Sequence, residues 1–100
     1  MAAPDVFRAV ADPTRRRILE LLRRSDLSVS DLTRPFRMSQ SGISQHLDVL
    51  RAAGLVRRRQ EGRRHIYRLE RRPLERVYNW AARQLAERPE RAGPTRPGQL

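Results

Sequence analysis

The stretch that decides the fold is Arg37-Met38-Ser39-Gln40-Ser41-Gly42-Ile43-Ser44-Gln45-His46-Leu47-Asp48-Val49-Leu50-Arg51-Ala52-Ala53-Gly54. Ser39 is a good N-cap, because its hydroxyl can accept a bond from a backbone N–H two or three residues on. Ile43, Leu47 and Leu50 follow at spacings of four and three, which lines them along one side of a helix. Gly54 can take the left-handed conformation that ends it. The pattern predicts a helix over about Gln40–Ala53.

With those three residues inward, the opposite side carries Ser41, Ser44, Gln45 and Asp48, with Gln40 and Arg51 at its edge. A merely solvated face is usually filled with Glu, Lys and Arg. Short hydrogen-bonding side chains suit a helix that meets base edges in a DNA major groove, where Gln pairs bidentately with adenine. Gly42 costs a helix roughly 1 kcal/mol, and two readings of it stand side by side: close approach to DNA, or tolerance near a helix start.

Upstream, Ser28-Val29-Ser30-Asp31 offers another cap. Leu32 and Phe36 point inward and Pro35 limits the element, which predicts a short helix over about Ser30–Phe36. Asp12-Pro13 is an N-cap followed by the favoured first helical residue. Ile18, Leu19, Leu21 and Leu22 continue a helix over about Pro13–Arg24. Val6, Phe7 and Val10 mark a shorter helix ending near Ala11. Arg15, Arg16 and Arg17 place positive charge where it opposes the helix dipole, so an acid or a phosphate should relieve it. For Arg15, an intramolecular salt bridge and DNA are equally good readings.

Downstream, Leu55–Gln60 and Arg64–Leu69 flank Glu61-Gly62-Arg63, a turn signal between two alternating runs, and predict an Arg-rich β-hairpin. From Pro73, the residues Leu74, Val77, Tyr78, Ala81 and Leu85 form the stripe of an amphipathic helix ending before Pro89, with Trp80 off its centre. Pro89, Gly93, Pro94, Pro97 and Gly98 predict a disordered tail over 89–100, leaving residues 1–88 as one domain. Two short helices joined by a tight link and followed by a hairpin describe a winged helix-turn-helix. The fold is expected to be mainly α, with about five helices and a two-stranded wing.

Composition agrees. The 100 residues hold 22 Arg and no Lys against 11 acids, a net charge of +11, so the expected partner is a polyanion. Residues 1–50 carry a net +2 and residues 51–100 a net +9, and Arg51–Arg72 alone holds nine Arg against two Glu. Exclusive use of Arg fits a GC-rich genome, although Arg also grips phosphate bidentately. The absence of Cys excludes disulfides, thiolate metal sites and cysteine nucleophiles. No paired carboxylates, glycine-rich phosphate loop or nucleophile with a base is visible, which argues against an enzyme. No signal peptide or membrane span is read, so a cytoplasmic location is expected. A basic RNA-binding protein is the competing class, but five aromatics without basic interleaving suit stacking on unpaired bases poorly. The last helix mixes Glu75, Arg76, Arg83, Glu87 and Arg88 on its polar face, which does not favour a membrane surface.

Asp12-Pro13-Thr14-Arg15 before Ile18-Leu19, Met38-Ser39-Gln40-Ser41, Ser44-Gln45-His46-Leu47, Leu50–Val56 and Glu61-Gly62-Arg63, in this order and spacing, resemble the ArsR-type (arsenic-repressor-like) winged-helix regulators of bacteria. The likeness runs from about Phe7 to Leu85. It implies a homodimeric repressor whose terminal helices pack against a partner copy and whose recognition helices enter successive major grooves of an imperfect palindrome.

Burying Val6, Phe7, Val10, Val77, Tyr78 and Leu85 between protomers would enlarge a small core; an intramolecular helix pair is the alternative. Base contacts are expected from Gln40, Ser41, Ser44 and Gln45. Backbone contacts are expected from Ser39, Arg51, Arg63 and Arg64, with Arg57, Arg58 and Arg59 split by strand alternation. His46 is assigned to the DNA backbone or to structure ahead of base contact. Metal-sensing members carry Cys-Val-Cys where this chain has Ser28-Val29-Ser30, and the last helix lacks His, so no metal or other cofactor is expected. An effector could be a small organic molecule or a protein, or control could rest on protein level alone.

Overall fold

A computed structural model describes residues 5–88. The order is α1 (Val6–Val10), α2 (Pro13–Leu22), β1 (Leu27–Ser28), α3 (Val29–Thr33), α4 (Gln40–Ala52), β2 (Val56–Glu61), β3 (Arg64–Leu69) and α5 (Leu74–Leu85). The expected winged helix-turn-helix is present, and the tail assigned to 89–100 lies outside the described residues.

Several details differ from expectation. The wing is the larger part of a three-stranded antiparallel sheet of order β1-β3-β2, because Leu27 and Ser28 pair with Tyr67 and Ile66. A two-residue strand carries too little alternation to be legible in sequence. The third helix is Val29–Thr33, since Ser28 and not a later residue is its cap. The Asp31 amide donates to Ser28 Oγ at 3.1 Å and the Ser28 amide to Asp31 Oδ2 at 3.4 Å, a reciprocal capping box. Phe36, expected within this helix, follows it and is half-buried.

The core is continuous. Ile18, Leu32, Ile43, Leu47, Leu50 and Leu55 are all 0% exposed, and Val6, Ala9, Leu19, Leu22, Val56 and Tyr67 complete the cluster. α4 thus buries the three residues that its spacing indicated. Its end also aims the wing: Gly54, at φ 79°, donates to Arg51 O at 2.9 Å, and Leu55 donates to Leu50 O at 2.9 Å. This is a Schellman motif, with Leu55 packed in the same core as Leu50 as the chain enters β2.

β2 and β3 pair from Val56↔Leu69 to Glu61↔Arg64, so the turn is Gly62-Arg63, one residue shorter than the sequence suggested. Gly62 has φ 61° and no non-glycine residue among those described has positive φ. Positive φ at the first central position alone is the type II′ pattern, whose twist suits a hairpin.

α1, only five residues long, cannot hold itself together. Its exposed C-terminal carbonyls are met by the arginines that open α2. Arg15 Nε donates to Ala9 O at 2.7 Å, Arg15 Nη2 to Arg8 O at 3.1 Å, and Arg16 Nη1 to Val10 O at 2.8 Å. The acceptor that relieves this cationic turn is therefore the negative end of α1.

Three outcomes are expected. Leu47→Ala should destabilise the fold by about 2–5 kcal/mol in urea unfolding, as for other fully buried leucines. At Gly62 an added Cβ would meet nothing within 4 Å, so Gly62→Ala should cost only the backbone strain, about 1–2 kcal/mol by the same measurement. Asp31 accepts from the Ser28 hydroxyl and amide, with Arg34 and Arg64 adding attraction, and this holds its carboxyl below the ordinary 3.8. A lowered folded pKa contributes stability that is full above 3.8 and lost as pH falls through the folded value. Asp31→Asn should therefore flatten the dependence of thermal unfolding on pH below 3.8, and an unchanged curve would remove Asp31 from the acid response.

Candidate nucleic-acid interface

α4 is held by its apolar side, and this leaves Gln40, Ser41, Gln45 and Asp48 exposed and Ser44 half-buried. Ser39 caps the helix, its Oγ accepting from the Gly42 amide at 3.1 Å and lying 3.0 Å from Ser41 Oγ. A Cβ on Gly42 would stand 3.2 Å from Met38 Cε and 3.3 Å from Ser39 Oγ. Crowding at the cap is thus a reason for glycine that neither sequence reading named.

The sheet register sorts the wing side chains into two faces. Directly paired residues share a side, so Val56, Arg58 and Gln60 lie with Leu69, Tyr67 and His65, while Arg57, Arg59 and Glu61 lie with Arg68, Ile66 and Arg64. Val56 and Tyr67 of the first set are buried in the core. A groove of about 370 Å³ between wing and helix is lined by Gln40, Ser44 and Asp48 on one wall and by Arg58, Arg63, Arg64 and His65 on the other. A larger trough of about 840 Å³ continues along the C-terminal half of α4, where Asp48, Arg51 and Ala52 meet Arg57, Arg58, Arg59 and Arg68. Arg58 and Asp48 border both.

Carboxylates decide which cations are free. Arg59 donates to Asp26 Oδ2 at 2.6 Å and to Glu61 Oε2 at 2.7 Å, which raises its pKa further above the usual guanidinium value. Arg57 faces Glu70 at 3.4 Å, Arg64 reaches Asp31 at 3.3 Å, and Arg51 lies 4.0 Å from Asp48. Among the described residues Arg58, Arg63 and Arg68 have no carboxylate within 4.0 Å. Arg58 was not singled out from the sequence; its place beside Val56 in the strand period, two residues from a buried neighbour, is the signal that could have found it.

His46 does not join the outward face. It is partly buried against α2, with Arg15 Nη1 at 3.3 Å and Asp12 Oδ2 at 3.9 Å from its Nδ1. A guanidinium only donates, so Nδ1 is the acceptor wherever that hydrogen bond forms. Burial disfavours the charge on Asp12, but the bond from the Arg15 amide at 3.0 Å and the nearby His46 and Arg15 outweigh it and lower its pKa.

The terminal helices present apolar surface. α5 contains no buried residue; Tyr78 is 73%, Trp80 49% and Leu85 83% exposed. Phe7 packs edge-on against Trp80 with ring centroids 6.0 Å apart, and the Arg76 guanidinium lies 5.6 Å from the Phe7 ring centroid. Phe7, Val10 and Val77 are partly buried at this seam. Val6 corrects the sequence reading: at 2% exposure it belongs to the core of the single chain and has no surface to offer a second copy.

Ser28, where a thiolate would be needed for a soft metal, is 3% exposed and caps α3. Among the described residues no three His, Asp or Glu side chains gather as a metal site, and no helix is long and apolar enough to cross a membrane.

Comparison with known proteins agrees with this geometry. The family model described as bacterial regulatory protein, arsR family, matches residues 12–58, from the cap of α2 into β2. The transcriptional repressor SdpR of Bacillus subtilis is 37% identical over 76 residues, covering 76% of this chain and 84% of that repressor. The HTH-type transcriptional regulator Rv2034 of Mycobacterium tuberculosis is 44% identical over 69 residues, covering 68% of this chain and 64% of its own length. Among solved structures, the ArsR-like transcriptional regulator from Rhodococcus sp. RHA1 superposes with a TM-score of 0.71 at 37% identity, covering 79% of this chain and 72% of that one. The protein belongs to the ArsR family of helix-turn-helix, DNA-binding transcriptional regulators and is not an enzyme.

Proposed function

We propose that this regulator is a cytoplasmic repressor that binds an imperfect DNA palindrome as a homodimer, without metal sensing, residues 1–88 forming the DNA-binding and dimerisation domain. The observation that carries the reading is the groove in which the Gln40 and Ser44 side of α4 faces the Arg58 and Arg63 side of the wing. A helix with hydrogen-bonding groups beside free guanidinium groups matches a major groove flanked by phosphates.

In this reading Gln40, Ser41, Ser44 and Gln45 read bases, and Asp48 is placed to accept from a cytosine amine. Arg58 and Arg63 are the principal phosphate contacts, followed by Arg51 and Arg64, which must leave or share a carboxylate. Ser39 contributes through its cap, and His46 reaches a phosphate only through Nε2. The dimer seam uses Phe7, Val10, Val77, Tyr78 and Leu85, with Trp80 added because half of it is exposed beside Phe7. Such a seam would cover apolar side chains that a lone protomer leaves in water. The absence of cysteine from the chain and the capping role of Ser28 support the loss of metal sensing.

Selection of bound duplexes from a random pool at about 150 mM salt tests the whole reading, because non-specific phosphate binding is already weakened there. A two-fold-symmetric motif is expected; binding without enrichment would favour a nucleoid-coating or RNA-binding role. On the selected site Gln40→Ala or Gln45→Ala should lose about 1–3 kcal/mol and change non-specific binding little. Arg58→Ala and Arg63→Ala should weaken binding to every sequence and reduce the salt slope by roughly 0.9 for each phosphate no longer neutralised. Arg59→Ala, whose guanidinium is held by Asp26 and Glu61, should leave the slope unchanged; the reverse order of effects would reject the division of the wing cations.

A further inference from the structure

We propose that Arg15 is a positioning residue that locks α4 to α1 and so sets the half-site spacing the dimer accepts. The inference rests on the reading that α1 lies in the dimer seam.

Arg15 is partly buried on α2, and α1, α2 and α4 are in mutual contact. Its guanidinium holds two carbonyls of α1, Ala9 O at 2.7 Å and Arg8 O at 3.1 Å, and reaches His46 Nδ1 of α4 at 3.3 Å. Its own amide is bound to Asp12 Oδ2 at 3.0 Å, and that oxygen is 3.9 Å from the same His46 nitrogen. One planar group therefore fastens the carbonyl end of one helix to the middle of another, from a third helix whose N-terminus is capped by the Asp12 carboxylate.

Side-chain packing among these helices restricts their crossing angle only to within about 15–20°. The guanidinium fork has fixed geometry, and bonds to both neighbours leave little freedom to tilt one against the other. Rotation matters here. α1 would belong to the seam and α4 to the groove, so the angle between them sets the separation of two recognition helices that must match a helical repeat of roughly 34–36 Å. One base pair is a step of roughly 3.4 Å, so a modest tilt is enough to admit a neighbouring spacing.

Two variants test this in the full chain. Arg15→Lys keeps the charge and can still meet an α1 carbonyl, but has no fork to span both helices. His46→Ala removes only the α4 end of the link and leaves α1 capped, so it remains informative should Arg15→Lys fold poorly. Each is presented with duplexes carrying the two selected half-sites at spacers varied by single base pairs, and the dimer is checked by sedimentation. The wild-type protein is expected to prefer one spacer over its neighbours, and both variants to lose that preference about tenfold, the worth of one charge-assisted hydrogen bond. A dimer whose affinity falls evenly over all spacers would overturn the inference alone, since a missing phosphate interaction or a weakened fold acts on every spacing alike. A wild-type protein that sediments as a monomer would overturn the dimer reading and this inference with it.

Discussion

The burial of Ile43, Leu47 and Leu50 is the constraint on which the molecule depends. A helix that commits one side to the core has no choice about what its other side presents, and here that side is Gln40, Ser41, Ser44, Gln45 and Asp48. The same burial continues through Leu55 at the Schellman turn, so the wing leaves α4 in a direction fixed by core packing. α4 and the wing are thus joined through one packed core, as the proposed contacts to bases and phosphates require.

Charge on the wing is divided by a small number of carboxylates. Asp26 and Asp31 tie Arg59 and Arg64 to the body of the domain, while Glu61 and Glu70 pair with Arg59 and Arg57 within the hairpin and at its base. Such exposed pairs stabilise only a little each, but among the described wing residues they leave Arg58, Arg63 and Arg68 as arginines with no carboxylate to give up. The net charge of +11 therefore overstates what is directed at a partner and gives no hint of which guanidinium groups are free.

A different constraint governs the opposite end of the domain. α1 is too short to persist alone, and it is held by Arg15 and Arg16 from the next helix and by the Phe7–Trp80 edge contact with α5. Sequence placed Trp80 off the centre of the apolar stripe of α5; it meets Phe7 of α1, while Tyr78 and Leu85 of that stripe remain in water.

Much of the fold was legible from the chain alone because its signals are local. Asp12-Pro13, Ser39 and Gly54 are caps and stops whose chemistry acts within a few residues, and the spacing of Ile43, Leu47 and Leu50 reports a helix side directly. What the tertiary structure alone decided depends on residues distant in sequence: the pairing of Leu27–Ser28 with β3, the withdrawal of Val6 into the core, the fastening of Arg15 to α1 and His46, and the partition of the wing arginines by Asp26 and Asp31. Local spacing dictates which side of an element is apolar; only the packed chain decides which partner each polar or charged group finds, because that is a matter of distance in space.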